Sequence, residues 1–149
     1  MLAALLRWQV ADFGTARLAQ AAGSASAAEA FAVNTCGNAG TLLWQAPEVQ
    51  ERHAAYTAAA DVYSYGVVLW EVLTRAVPYT TNKFDDPPSA VVLERLIIGG
   101  LRPTIPAQSG WAVGDLIERC WDRDAARRPT FFVIVETLQQ LEQRGGLMD

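Results

Sequence analysis

Fourteen consecutive residues restrict this fold more than any other feature: Asp61-Val-Tyr-Ser-Tyr-Gly-Val-Val-Leu-Trp-Glu-Val-Leu-Thr74. Val62, Tyr65, Val67, Val68, Leu69, Trp70, Val72 and Leu73 leave no polar stripe around a helix. A helix of that kind is either a membrane span or a core helix. A span needs about 20 mainly apolar residues, and this run is shorter and interrupted. The sequence therefore predicts a buried central helix over about residues 58–74, with the other elements packed around it. Thr57 or Asp61 can accept from the free N–H groups at its start, and Asp61 also suits the positive end of the helix dipole. Pro78 lies just past its end, where a helix cannot continue.

A chain of 149 residues is long enough to bury a core of its own and is expected to form one domain. The composition, 51% hydrophobic and 19% charged, is that of a globular protein. The net charge of −4 argues against a module held to nucleic acid by phosphate contacts. Cys36 and Cys120 lack metal-ligand spacing and are expected as reduced thiols in a cytoplasmic protein. Met1 to Arg7 begins with apolar residues but lacks the basic region and length of a secretion signal. No membrane partner is expected.

Apolar periodicity marks three further helices. Ala90 to Ile98 places Val92, Leu93, Leu96 and Ile97 on one side and stops at Gly99-Gly100. Val113, Leu116, Ile117, Cys120 and Trp121 recur at helical spacing from near Trp111 to Trp121, although Gly114 weakens that helix by about 1 kcal/mol relative to Ala. Phe131, Ile134, Val135, Leu138 and Leu141 form a last stripe that ends at Gly145-Gly146, with Thr130 placed to cap it. Between Thr80 and Ser89 the chain is polar and Pro-rich, which reads as an exposed loop. Thr15 to Gly40 is a long, Ala-rich stretch of low charge; so long a loop in a compact domain is uncommon and is usually functional or mobile.

Five short motifs occur in one order. Asp12-Phe13-Gly14 follows a short β-prone piece, Trp8 to Ala11. Gly40-Thr-Leu-Leu-Trp-Gln-Ala-Pro-Glu48 comes next, then the central helix with Pro78-Tyr79 behind it. Gly100-Leu-Arg-Pro-Thr-Ile-Pro106 and Cys120-Trp-Asp-Arg-Asp-Ala-Ala-Arg-Arg-Pro-Thr-Phe131 complete the set. Together they resemble the C-terminal lobe of a protein kinase of the tyrosine-kinase-like group, over about residues 10–141. Gln45 stands where that family usually has Met, and Ala125 where it has Pro.

The resemblance implies a mainly α fold, the helical C-terminal lobe, with a long activation-type loop ahead of the central helix. Asp12 would be the Mg²⁺ ligand of D-F-G, a hard oxygen donor for a cation that bridges to phosphates of ATP. Phe13 and Gly14 would pack and turn the chain beneath it. Thr41, Trp44, Ala46, Pro47 and Glu48 would form the platform beside the acceptor residue of a protein substrate. Thr41, and the lack of a further proline in that segment, favour a Ser/Thr acceptor over Tyr. Ser24, Ser26 and Thr35 are candidate phosphorylation sites, or ordinary loop residues. Glu48 is expected to pair with Arg128, because a buried carboxylate needs a partner and Arg offers two parallel hydrogen bonds. Asp61 would hold the backbone of a catalytic H-R-D loop, or else act as a plain helix cap.

That loop is one of several parts not found in the sequence. Eleven residues precede Asp12. The one lysine, Lys83, and the one histidine, His53, both follow the A-P-E motif, so neither can contact phosphates as the strand lysine does or begin H-R-D. No G-x-G-x-x-G occurs. Phosphoryl transfer depends on positioning and charge stabilisation, so the 149 residues alone, as a partial kinase domain, are expected to be inactive. Two readings stay open. In one, Ser/Thr phosphorylation by Mg-ATP belongs to a longer product. In the other, the lobe is a non-catalytic module that binds partner proteins.

Overall fold

A computed structural model describes residues 42–51, 57–80, 82, 84, 87–106 and 111–144. Asp12, Phe13, Gly14, Ser24, Ser26, Thr35, Thr41, Cys36, His53 and Lys83 lie outside them, as do the whole 15–40 stretch and the Gly145-Gly146 stop. Among the described residues there are five α-helices, one 3-10 turn and no strand. The helices are α1 (Pro47–Gln50), α2 (Ala58–Thr74), α3 (Ala90–Ile98), α4 (Trp111–Cys120) and α5 (Phe131–Gln143), and the turn is Ala125–Arg127.

α2 forms over the predicted span and organises the core. Ala60, Tyr63, Val67 and Trp70 face Val113, Ile117 and Trp121 of the α4 region, together with Ala46 and Leu141. Val62 turns to a second cluster with Leu116, Cys120 and Ile134. Each large apolar side chain fully buried here contributes roughly 1.5–3 kcal/mol. α2 and α4 cross at Gly66, where an added Cβ would lie 2.7 Å from the Cys120 Cβ. Glycine is what lets the two backbones approach so closely. Burial raises the Cys120 thiol to about 11, so it stays protonated as a small apolar group.

Two expectations for α2 need correction. α2 is not covered on all sides: Val68, Val72 and Leu73 are exposed, Val72 by 70%. Its start takes no side-chain cap bond from Thr57, although Thr57 occupies the cap position. Asp61 is exposed in the first turn and is not without a partner. The end of α2 at Thr74 is as expected, with Pro78 a few residues past it: Arg75 takes the left-handed conformation at φ 54° and returns its N–H to the Glu71 carbonyl.

On α3 only Ile97 of the predicted stripe is fully buried, while Val92 and Leu96 are exposed. Ser89 caps that helix by accepting from the Val92 N–H, and Gly100 ends it at φ 108°. On α5 the buried residues are Ile134 and Leu141; Phe131 and Val135 of the predicted stripe are exposed. Thr130 accepts from the Val133 N–H as its cap. No helix among the described residues is long and apolar enough to cross a membrane.

Candidate functional site

Residues 42–51 pack against α2, with Ala46 in one cluster with Ala60, Tyr63, Val67 and Trp70. Pro47 opens α1, since its missing N–H and fixed φ suit a first helical position. Ala46 and Pro47 are buried against the core. Gln50 braces the segment from within, donating to the carbonyls of Leu42 (3.1 Å) and Gln45 (2.8 Å).

Two anchors fasten this segment to the helices. The first is Glu48 with Arg128, eighty positions apart. Nη1 of Arg128 donates to Oε1 at 2.6 Å and Nη2 to Oε2 at 2.9 Å, the parallel fork that guanidinium and carboxylate favour. The Arg128 side chain is 0% exposed and that of Glu48 20% exposed. Arg128 is also satisfied by main-chain acceptors, the Ala59 carbonyl at 2.8 Å and the Asp122 carbonyl at 2.8 Å. The guanidinium thus ties the segment to the start of α2 and to the turn before the last helix. Burial pushes the Glu48 carboxyl up, but the Arg128 hydrogen bonds and charge outweigh it and hold it below the usual value.

The Tyr63 ring is flanked by cations. Arg128 lies 5.2 Å and Arg102 4.9 Å from its centroid, within cation–π range. Arg102 is held there by the carbonyls of Trp121, Ile97 and Leu101. The Tyr63 hydroxyl meets that of Tyr79 at 3.5 Å, and burial raises both phenols.

The second anchor is Trp44. Its indole N–H donates to Oε2 of Glu71 at 2.6 Å. Its carbonyl accepts from the Ser64 hydroxyl at 2.8 Å. Ser64 and Glu71 are seven positions apart, two turns along one face of α2. Neither was singled out from the sequence, nor was Arg102. The available signal was that seven-residue spacing of polar side chains inside an otherwise apolar helix.

The structure therefore brings together Trp44, Ala46, Pro47, Glu48 and Arg128. Asp12, Phe13, Gly14, Thr41, Ser24, Ser26 and Thr35 are outside the described residues. Among the described residues no group of three or more His, Cys, Asp or Glu is placed to hold a metal ion. What the described site does chemically is fix a ten-residue stretch of main chain in one pose by neutralised charge and hydrogen bonds.

Comparison with known proteins adds the family. A sequence model described as protein tyrosine and serine/threonine kinase matches residues 1–138. Serine/threonine-protein kinase STY46 of Arabidopsis thaliana is 41% identical over 138 residues, 93% of this chain and 21% of that protein. Serine/threonine/tyrosine-protein kinase HT1 of the same plant is 35% identical over 93% of this chain and 31% of its own length. The cryo-EM structure of the AtMLKL3 tetramer superposes with a TM-score of 0.61 at 35% identity, covering 70% of this chain and 18% of that one. The chain thus spans about a fifth to a third of these curated relatives. On the strength of that match and of a helical lobe that superposes on a kinase-like fold, the chain belongs to the protein tyrosine and serine/threonine kinase family.

Proposed function

We propose that this lobe is the substrate-bearing part of a Ser/Thr protein kinase whose catalysis belongs to a longer product. The observation that carries the reading is the pair of anchors on residues 44–48. The bidentate Glu48–Arg128 pair and the Trp44–Glu71 bond hold in a single pose the segment that the family uses beside the acceptor residue. Holding a reactant in place is much of what a phosphoryl-transfer enzyme does. Relatives named as Ser/Thr kinases support the acceptor class. Asp12 would hold Mg²⁺ there, ATP would supply the phosphoryl group, and Ser24, Ser26 and Thr35 would be candidate regulatory phosphorylation sites. The partner would be a protein substrate met in the cytoplasm.

A second reading, a non-catalytic module that binds proteins, draws on a different observation. Val68 and Val72 of α2 and Phe131, Phe132 and Val135 of α5 are exposed apolar residues, and Tyr65 stacks edge-on against Phe131 at 5.7 Å between centroids. Exposed apolar surface on two helices suits a covering partner or further chain.

The test is a blot of the native product combined with radiolabelled phosphate transfer to casein. The expected result is a product larger than 149 residues that transfers phosphate and loses the activity in Asp12→Ala. A native product of this size with no transfer would decide for the interaction module. Transfer by the purified 149-residue chain, abolished in Asp12→Ala, would overturn both readings.

A further inference from the structure

We infer that Gln50 is a positioning residue for protein substrate, its carboxamide closing the 42–45 turn of the platform segment from the buried side. The inference rests on the substrate-platform reading of those residues and adds to it a side chain that touches no substrate.

The turn is weakly closed by its own main chain. The Gln45 N–H reaches the Leu42 carbonyl at 3.3 Å, longer than is usual for a bond between amides. Nε2 of Gln50 meets that same carbonyl at 3.1 Å and the Gln45 carbonyl at 2.8 Å. One nitrogen thus joins the two ends of the turn, and both of its hydrogens are committed. Gln50 is itself held. It is 6% exposed and ends α1, where its main-chain N–H donates to the Ala46 carbonyl at 3.1 Å. Glu48, two positions earlier on that helix, is latched to Arg128. The carboxamide therefore stands on a fixed base, the condition for precise positioning. Leu43 and Trp44, the middle residues of the turn, are half-buried and take their place from it.

The far end of the same amide carries a cost. Two carbonyls can be met only by the NH₂ group, so Oε1 faces away from them. It is buried and meets no hydrogen-bond donor among the described residues. A buried acceptor without a partner destabilises a fold, and an apolar side chain of similar length would avoid that. A residue that breaks a rule of burial while ordering a functional segment marks a demand other than stability.

The experiment has two arms. In the 149-residue chain, amide hydrogen exchange is read over residues 43–46 for Gln50→Met and Gln50→Glu, with residues 113–121 as the internal reference. Gln50→Met keeps length and burial but removes both donors. It should speed exchange over 43–46 on the order of tenfold and leave 113–121 at the wild-type rate. Gln50→Glu, which only accepts when ionised, should be at least as fast at neutral pH. It should approach the wild-type chain, compared at equal pH, as acid returns an O–H donor to the side chain. Wild-type exchange in Gln50→Met, or equal acceleration at 113–121, would overturn the inference.

In the longer kinase product, Gln50→Met should raise KM for casein several-fold while leaving KM for ATP unchanged. An unchanged KM for casein overturns the substrate role. Absence of transfer by the unsubstituted product overturns the kinase reading, and with it that role, while the exchange arm still decides whether Gln50 holds the turn.

Discussion

The two faces of α2 differ in what they touch. One face carries Tyr63, Val67 and Trp70, each fully buried, and the bonds to Trp44. The other carries Val68 and Val72, both exposed, Val72 by 70%. Both faces carry large apolar residues in sequence, so hydrophobicity alone does not say which one is buried. What distinguishes them is what packs against them: Val113, Ile117, Trp121 and Ala46 lie against one side, while Val68 and Val72 stay exposed on the other. An apolar helix is thus a statement of what a chain needs to bury, and the bare face states what is still to be supplied.

The largest expected effect falls on the locked side. Arg128→Met should cost about 3–5 kcal/mol, since it strands the Glu48 carboxylate and two main-chain acceptors. A double-mutant cycle with Glu48→Gln, followed by urea unfolding, should show strong coupling; additive effects would mean the pair is not a unit. Next comes a matched pair on one helix. Val67→Ala should cost about 2 kcal/mol through the cavity it leaves. Val72→Ala, at an exposed position, should stay within about 0.5 kcal/mol. Equal costs would erase the contrast between the faces.

Gly66→Ala sharpens the same contrast at the α2–α4 crossing. Overpacking against the Cys120 Cβ should cost about 1–3 kcal/mol, offset by up to about 1 kcal/mol of helix propensity. The net effect should be a lower melting temperature.

A smaller effect comes from acid. The Glu48 carboxyl lies below its ordinary 4.5 in the folded chain, so its contribution is complete above that value. That contribution is lost as pH falls from 4.5 through the lower folded value. Glu48→Gln should flatten the acid limb of a stability–pH profile. The smallest change in fold stability should come from Phe132→Glu, at an exposed position of α5. Its readout is sedimentation, where the wild-type chain should self-associate and the variant should not.

Much of the fold was legible because helical period and turn chemistry are local. α2, α4, and the Thr130 and Gly99-Gly100 boundaries follow from residues within a few positions of one another. The exposure of Val68, Val72, Phe131 and Val135 was not legible. It depends on what packs against a face, and nothing in a local pattern records that. The Glu48–Arg128 contact could be expected from two motifs in the right order. The Trp44–Glu71 contact could not, because a tryptophan in a loop and a glutamate in a helix have no spacing rule that joins them. The same holds for Arg102, whose guanidinium is aimed at Tyr63 by three carbonyls from two different parts of the chain.

The distance in sequence between Glu48 and Arg128 also sets an order of events during synthesis. A chain emerging from the ribosome presents Glu48 long before Arg128 exists, and domains acquire their structure from the N-terminal side as they emerge. α2 can form early from local contacts, but the segment ahead of it has no cation to close on until the turn before the last helix has been made. A stalled nascent chain cut before residue 128 would therefore carry a formed helix beside an unlatched segment. Protease cleavage near residue 48 should be fast in that intermediate and slow once the last helix has been added.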